Sequence, residues 1–236
     1  MLTFEMVNEL TLKVTCRGSD VLYTKAGAFI AGESMGVKNY RFEKVLLGPQ
    51  QNLFSAALGS LARRMTGENL PLMKVTMSGD SVTYYANYGQ HVVAYKLDRG
   101  EVISVESENL LAFTADCDYS VRFLGQGVVS QKGLATSTLT GRGQNAYVAV
   151  LSDGNPIVLS NEQSGSVISV DPDAVICWMG QEGYNCDPNI KTDLSWKNLI
   201  GQNSGESYAY EWGANQPVTI VIQPSERQGG ISVSVD

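Results

Sequence analysis

The sequence predicts an all-β protein that is built from three internal repeats. Apolar and polar residues alternate along most of the chain, which is the pattern of strands that bury one face of a sheet. Three segments align with one another without gaps, and pairs of glycines recur between them. Self-similarity of this kind is typical of repeated architectures, in which each unit buries its apolar face against a neighbouring unit.

Individual strands follow from the alternation. Residues 10–16 alternate Leu, Leu, Val and Cys with polar residues, as expected of a half-buried strand. The same period of two is present in residues 73–77 and in residues 119–123. The C-terminal stretch ISVSVD, residues 231–236, also alternates, and we interpret it as a last strand.

The three aligned segments begin at Val21, Val102 and Val167, with offsets of 81 and 65 residues. Their sequences are VLYTKAGAFIAG, VISVESENLLAF and VISVDPDAVICW. Each has an apolar start, a tight polar stretch and a second apolar pair. This pattern predicts a strand, a turn and a returning strand, which together form a hairpin. The residues suited to the bend are Gly27, Asn109 and Pro172-Asp173.

A second recurring unit is a pair of glycines followed by an alternating apolar run. The three pairs are Gly67 with Gly79, Gly133 with Gly141, and Gly205 with Gly213. A rival alignment places GENLP, from Gly67, against GANQP, from Gly213. We favour the first alignment because it keeps the following strands in step. Those strands are predicted around residues 82–84, 147–150 and 218–222.

One stretch departs from the strand pattern. In PQQNLFSAALGSLARRM, residues 49–65, the apolar residues Leu53, Ala57 and Leu61 recur four positions apart. This spacing places them on one face of a helix of three or four turns. A second short helical turn is predicted in TDLSWKNLI, residues 192–200.

We therefore expect a single all-β domain over residues 1–236. Its three repeats would cover approximately residues 10–85, 86–150 and 151–222, and a C-terminal tail strand would cover residues 223–236. The length also permits two smaller β domains. The repeats favour one domain, because similar units can share their apolar surfaces.

Composition and charge restrict the partners and the cellular location that can be expected of this protein. Seventeen Lys and Arg against 24 Asp and Glu give a formal charge of −7, which disfavours nucleic acid as a partner because phosphates require a basic face. The sequence shows no apolar run of about 20 residues that could span a bilayer, and no secretory signal. Four scattered cysteines are interpreted as buried free thiols in a reducing cytoplasm. They are Cys16, Cys117, Cys177 and Cys186.

Residue types that carry catalysis are sparse. His91 is the only histidine, and we interpret it as a residue at the end of a strand, since a His-based metal site needs two or more. A carboxylate site for a hard cation would use Asp116 and Asp118, or Asp171 and Asp173, although acidic residues at such positions more often cap turns. We therefore assign no catalytic, cofactor-binding or metal-binding residue, and we expect no cofactor.

Two further features have both a structural and a functional interpretation. Glu68 and Glu206 follow the first glycine of their pairs, and we interpret them as turn-capping residues rather than as a catalytic pair. Aromatic side chains could stack on single-stranded bases, but without basic surroundings we assign them to cores or interfaces. They are Tyr84, Tyr85, Tyr88, Tyr95, Trp178, Trp196 and Trp212.

Several stretches together resemble a known family. They are LGSLARRMTGENLPLMKVTMSGDSVTYYA, GLATSTLTGRGQNAYVAV, SGESYAYEWGANQPVTIVIQPSE and KAGAFIAG. The ordered set is similar to the altered-inheritance-of-mitochondria family, whose bacterial members carry a domain named for its likeness to the tryptophan RNA-binding attenuator protein. The likeness runs from about residue 10 to residue 226.

The resemblance implies a double-stranded β-helix, or an attenuator-like β-barrel-sandwich, with pseudo-threefold repeats and one or two short helices. It implies no particular activity. RNA or tryptophan binding is not carried over, because no residue here matches the attenuator's ligand site and the acidic balance departs from what RNA binding requires.

These observations favour a non-catalytic β scaffold or binding protein rather than an enzyme. It would act in the cytoplasm on a partner protein or a small ligand, without inserting directly into a membrane. Homo-oligomers are expected where strand edges are exposed. Two alternatives stay open, namely a carboxylate- and metal-dependent enzyme and a regulator that binds RNA or tryptophan by analogy of fold.

Overall fold

A computed structural model describes residues 1–45, 72–123, 135–192 and 208–225 of the protein. Within these ranges it contains nineteen β-strands and two single 3₁₀ turns, at Ser107–Asn109 and Pro172–Ala174. The predicted all-β class is confirmed. None of the described residues belongs to a helix with the length and apolar composition needed to cross a membrane.

The strands fall into one N-terminal strand and three groups of six. The N-terminal strand is β1 (Leu2–Asn8). The first group is β2 (Thr11–Cys16), β3 (Ser19–Lys25), β4 (Phe29–Ser34), β5 (Tyr40–Val45), β6 (Leu72–Ser78) and β7 (Ser81–Tyr85). The second group is β8 (His91–Lys96), β9 (Glu101–Glu106), β10 (Leu110–Thr114), β11 (Cys117–Phe123), β12 (Ala135–Gly141) and β13 (Tyr147–Ser152). The third group is β14 (Ile157–Ser160), β15 (Ile168–Val170), β16 (Val175–Gln181), β17 (Asn189–Thr192), β18 (Tyr208–Trp212) and β19 (Thr219–Ile222).

Each group of six has the same topology, so we refer to the groups as units one, two and three. In unit one the strands β2, β7 and β4 form one half-sheet, in the order β2-β7-β4, and the other three strands form the half-sheet β5-β6-β3. Unit two repeats this as β8-β13-β10 and β11-β12-β9, and unit three as β14-β19-β16 and β17-β18-β15. The chain therefore repeats its strand connectivity three times, as the sequence alignment indicates.

Consecutive units are joined by antiparallel pairing of one strand from each. Strand β3 of unit one pairs with β10 of unit two, and β9 of unit two pairs with β16 of unit three. These joints merge half-sheets into two six-stranded sheets, and they leave a four-stranded sheet that includes β1 and a three-stranded sheet. The units are thus linked by continuous sheets as well as by the chain.

Three apolar clusters lie between these sheets. The first cluster draws on the four-stranded sheet and the first six-stranded sheet, for example Leu12 and Met77. The second draws on both six-stranded sheets and includes Phe113 and Cys177. The third, around Trp178 and the fully buried Trp212, lies between the second six-stranded sheet and the three-stranded sheet. The central strands of both six-stranded sheets are therefore buried on two faces, which explains the near-continuous apolar runs of β10, β13 and β16.

The second glycine of each predicted pair has an equivalent place, between the fifth and sixth strands of its unit. Gly79 lies between β6 and β7 and has φ +97°. Gly141 ends β12, where a Cβ would collide with the backbone of Asp98. Gly213 follows β18. The strands predicted after these glycines are present as β7, β13 and β19, which agrees with the favoured alignment.

The predicted hairpins are wrong in one respect. Each of the three aligned segments does form a strand, a turn and a strand, but the two strands do not pair with each other. Strand β3 pairs with β6 and β10, whereas β4 pairs with β7 in a different sheet. The segments beginning at Val102 and Val167 likewise pass from one sheet to the next. Turn residues follow the first strand in a hairpin, and they also follow it where the chain passes from one sheet to the next. Local sequence therefore does not distinguish these two arrangements.

Several predictions fall outside the described residues. These are the helix at residues 49–65, most of the helical turn at residues 192–200, the turn caps Glu68 and Glu206, and the last strand at residues 231–236. Within the described ranges the sheets are open and none closes into a barrel. The double-stranded β-helix and the division into one domain with repeats at residues 10–85, 86–150 and 151–222 stay predictions.

Candidate functional site

A pocket of about 430 Å³ opens beside the second six-stranded sheet. Its volume lies in the range of small-molecule sites, which is roughly 300–1,000 Å³. Two of its lining side chains are carboxylates, and most of the remaining lining is apolar, so we call it the acidic pocket. It is lined by Glu101, Glu162, Met179, Gly180, Gln181, Tyr184, Pro217 and Thr219.

Strand register brings the pocket residues together from separate parts of the chain. Glu101, at the start of β9, lies opposite Gln181, at the end of β16. Met179 of β16 lies opposite Thr219 of β19. Residues directly opposite each other on neighbouring strands project from the same face of the sheet. The joint between units two and three therefore builds one wall of the pocket.

The loop after β16 forms a second part of the pocket. Gly180 lies against the Cys186 side chain, which occupies the space where a Cβ would be placed. The Trp212 indole N–H donates a hydrogen bond of 2.9 Å to the Cys186 carbonyl, and this holds the loop on the third apolar cluster. Gly183 provides the sharp turn with φ +89°. Next to it, Tyr184 is 71% exposed at the mouth of the pocket.

The two pocket carboxylates are held by neutral donors. The Asp98 backbone N–H donates to Glu101 Oε2 at 2.9 Å, and the Thr219 hydroxyl donates to Glu162 Oε1 at 3.3 Å. Among the ion pairs of the described residues, neither carboxylate faces a Lys, Arg or His side chain. Both carboxylates are therefore available to a cation from outside the described chain.

A neighbouring acid outside the pocket shows the contrast. Glu182 accepts two hydrogen bonds from the Arg142 guanidinium, at 2.6 and 2.8 Å. Hydrogen bonding to Arg142 lowers the pKa of Glu182, and its charge is already matched. The two pocket carboxylates differ from Glu182 in that no described Lys, Arg or His side chain forms an ion pair with them.

This arrangement suits a positively charged group on a short apolar body. Carboxylates bind ammonium and guanidinium groups through charge-assisted hydrogen bonds. An aromatic ring such as Tyr184 adds cation–π attraction, and Met179 and Pro217 offer apolar contact. Glu101, Glu162 and Tyr184 are not among the residues that the sequence marks as candidates. They are distant in sequence, and no local motif marks them, because the pairing of β9 with β16 is what brings them together.

Two of the acids considered as candidates for a cation site cap turns, as the favoured interpretation predicts. Asp116 accepts a hydrogen bond of 2.9 Å from the Asn145 backbone N–H, and Asp171 accepts one of 2.8 Å from the Asp173 N–H at the start of a 3₁₀ turn. Asp118 forms an exposed ion pair of 3.5 Å with Arg142. The turn-capping interpretation is confirmed for Asp116 and Asp171. In the part of the chain that the structure describes, no group of three or more His, Cys, Asp or Glu is placed to hold a metal ion.

His91 begins strand β8, as predicted. Its Nε2 lies 3.9 Å from the Glu9 carboxylate, whose side chain is 84% exposed. This contact ties the start of β8 to the loop between β1 and β2, where the Val92 N–H also donates to the Glu9 carbonyl at 2.8 Å. The strand-end interpretation of His91 is confirmed.

All four cysteines are buried and none of them forms a disulfide, as predicted. Burial raises the pKa of Cys117 to about 12, and burial also raises the pKa of Cys177. These two thiols are therefore protonated at neutral pH and are poor nucleophiles. They pack in the second apolar cluster.

The aromatic residues are distributed between core and surface. Tyr85, Trp178 and Trp212 are almost fully buried, and the two tryptophan rings meet edge to face with centroids 5.9 Å apart. The predicted core role is confirmed for these three. Tyr88 is fully exposed at a turn, with φ 44°. Trp196 lies outside the described residues.

Comparisons with known proteins agree with the resemblance drawn from the motifs. The model of the family described as "Mitochondrial biogenesis AIM24" matches residues 4–225. A crystal structure of a protein from Streptococcus pyogenes is similar, with a TM-score of 0.68 and 18% sequence identity. The similarity covers 96% of this chain and 94% of that chain. No curated protein sequence matches this chain. At this identity the structural likeness shows the fold alone.

Proposed function

We propose that this chain, which belongs to the family described as "Mitochondrial biogenesis AIM24", is a non-catalytic binding protein. The acidic pocket is its binding site. The ligand carries an ammonium or guanidinium group on a short apolar body, either as a small molecule or as a Lys or Arg side chain of a partner protein.

The observation that carries this proposal is a pair of pocket carboxylates with which no described Lys, Arg or His side chain forms an ion pair. Glu101 and Glu162 are held by neutral donors in a pocket that also presents apolar surface and Tyr184. A cation that enters replaces part of its hydration with charge-assisted hydrogen bonds, which contribute about 1.5–3 kcal/mol each. The net charge of −7 also favours the approach of cations over anions.

The test uses two probes that separate the two sources of the cation. One is a simple alkylammonium ion such as n-butylammonium, and the other is a short peptide with a single central lysine between apolar residues. Calorimetric titration of the folded chain is expected to show saturable binding of at least one probe. Binding of both supports the shared chemistry, and binding of the peptide alone indicates a partner protein.

Variants locate the binding. Glu101→Gln combined with Glu162→Gln is expected to weaken binding of the active probe by roughly tenfold or more, which corresponds to about 1.4 kcal/mol. The matched control is Glu108→Gln, which removes one exposed carboxylate outside the pocket and is expected to leave binding unchanged. An unchanged affinity in the double variant, or no binding of either probe, contradicts the proposal.

We also propose that the protein works in a reducing compartment such as the cytoplasm. The support is that the four buried cysteines form no disulfide, because oxidising compartments favour disulfides. Mass measurement of the protein extracted from native cells under alkylating conditions is expected to show four reduced thiols. A disulfide-linked form would contradict this location.

A further inference from the structure

The three units leave two unmatched strands. In units two and three the strands β10 and β16 each pair with a strand of the preceding unit. Strand β4 has the equivalent place in unit one, which has no preceding unit. Strand β15 has the place of β3 and β9, but unit three has no following unit. Among the described strands, β4 pairs only with β7, and β15 pairs only with β18.

Strand β4 exposes apolar side chains that its equivalents bury, and Val167 before β15 is more exposed than its half-buried equivalents Val21 and Val102. All five residues of β10 are buried. On β4, in contrast, Ile30 is 56% exposed and Phe29 is 36% exposed. Val167, directly before β15, is 59% exposed. In repeat proteins an end unit normally carries a polar outer face, and exposed apolar strand edges favour association.

Strand β4 also has the local shape of the strands that do form joints. In each unit the equivalent strand carries a register shift against its neighbour, between Phe29 and Ala31, between Leu110 and Ala112, and between Val175 and Cys177. These positions are related by the same 81- and 65-residue offsets that align the sequences. The β-bulge bends and twists a strand, so β4 is shaped like β10 and β16 although it has no joint to make within the described chain.

We propose that β15 of one copy of this chain pairs antiparallel with β4 of a second copy, which repeats the joint that links the units within one chain. The occupant of both open edges is therefore another copy, and the argument is the continuity of this contact with two joints already present. The contact joins different surfaces of the two copies, so repetition produces a ring or an open filament. The proposal does not depend on the acidic pocket.

The two existing joints share one register, which predicts the register between copies. Thr24 lies opposite Ala112 in the first joint, and Val105 lies opposite Cys177 in the second. The offset of 81 relates Thr24 to Val105, and the offset of 65 relates Ala112 to Cys177. Applying the 65-residue offset to Val105 gives Val170, and applying the 81-residue offset backwards to Ala112 gives Ala31. Val170 of one copy is therefore expected to lie opposite Ala31 of the next. The neighbouring pairs are then Ser169 with Gly32 and Ile168 with Glu33.

Disulfide trapping tests this register. One preparation carries Ile168→Cys and another carries Glu33→Cys, and the two are mixed under mild oxidation. A disulfide-linked dimer that contains one chain of each kind is expected, and neither preparation alone is expected to give it. The native cysteines are all buried, so background linking is low. A matched control replaces Glu33→Cys by Ala31→Cys, two residues out of register, and is expected to link several-fold less.

A measurement of mass in solution tests the contact without cysteines. The native chain is expected to show an average mass that rises with concentration in light scattering. Val167→Lys is expected to weaken this association at least tenfold, because it adds a charge at the open edge of β15. Val158→Lys is the matched control, since Val158 has the same 59% exposure but lies on β14, which makes no joint between units.

Defined outcomes overturn the proposal. The proposal is contradicted if the native chain stays monomeric at its highest soluble concentration. It is also contradicted if Val167→Lys and Val158→Lys weaken association equally, or if cross-linking is equal in both registers. Circular dichroism of each variant shows that it is folded. Titration of Val167→Lys with the ammonium and peptide probes reports on the acidic pocket separately, so that failure of one proposal leaves the other open to its own test.

Discussion

Strands β4 and β10 have the same place in units one and two, but only β10 has a neighbouring strand on both of its edges. Strand β10 lies between β3 and β13 and buries all of its residues, whereas β4 has β7 as its only neighbour among the described strands. Ile30 of β4 and Leu111 of β10 are equivalent by the 81-residue offset, yet Ile30 is 56% exposed and Leu111 is fully buried. The burial of a repeated position is therefore decided by the neighbouring unit.

The two strands also differ in sequence in a way that fits their surroundings. Strand β10 reads LLAFT, an almost continuous apolar run, as expected of a strand that is covered on both faces. Strand β4 reads FIAGES and ends in polar residues. Its apolar start, however, is retained at an open edge. Phe29 and Ile30 at this apolar start would be covered if β4 paired with another copy.

The largest expected difference between joined and open strands concerns access to solvent. Cys177 of β16 and Ala31 of β4 are equivalent positions, and Ala31 is exposed while Cys177 is fully buried. In an Ala31→Cys variant the new thiol is expected to react with a maleimide at pH 8 at least roughly a thousandfold faster than Cys177, which reacts only after opening of the core. Mass spectrometry of the labelled peptides measures both rates.

The same experiment sharpens the comparison when concentration is varied. Protection of the new thiol at high protein concentration, lost on dilution, would show that a second copy covers β4. Labelling of Cys177 as fast as the thiol at position 31 would show that the joint is not a stable part of the core.

The next expected difference is in stability. Leu111→Ala removes a fully buried side chain and is expected to lower the free energy of unfolding by about 2–5 kcal/mol, because the cavity is only partly refilled. Ile30→Ala at the equivalent open position is expected to change it by less than about 0.5 kcal/mol. Urea denaturation of dilute protein measures both values. Similar losses in the two variants would contradict the difference between the strands.

The smallest expected effect is a pH dependence from the thiols of the second cluster. Burial raises the pKa of Cys117 to about 12, whereas an unfolded thiol titrates near about 8.5. Below that pH both states are protonated, and above it the unfolded state alone loses its proton. Stability is therefore expected to fall as pH rises from about 9 towards 11, by up to about 1.4 kcal/mol per pH unit for each such thiol.

Two variants isolate this contribution. In Cys117→Ala the slope of stability against pH is expected to become less steep in this range, whatever the stability lost to the cavity. The exposed thiol of Ala31→Cys is expected to add no slope, because its pKa is the same in both states. An unchanged slope in Cys117→Ala would show that other groups control alkaline unfolding.

The fold class and most strand positions could be predicted because they depend on local patterns. The alternation in residues 73–77 became β6, and that in residues 119–123 became β11. The glycines at positions 79, 141 and 213 marked the turn before the last strand of each unit. Burial of the cysteines followed from the apolar runs around them. Each of these depends on a residue and its neighbours within a few positions.

The acidic pocket could not be predicted in this way. Glu101 and Gln181 face each other only because β9 pairs with β16, and this pairing joins two different units. Neither residue stands in a motif that distinguishes it from other surface residues. The turn after β16, which presents Tyr184, is held in place by Trp212, which follows in the chain by 28 residues.

The amino-acid sequence by itself determined that this protein is all-β, that its pattern repeats three times, and where many of its strands and turns lie. Period-two alternation and turn residues act over a few positions, so they can be recognised without knowing the partners of a strand. Only the tertiary structure decided which strands pair, that the predicted hairpins are corners between sheets, and which strand edges stay open. Backbone hydrogen bonds between strands carry no residue-specific mark, and their partners are chosen by the packing of the whole chain.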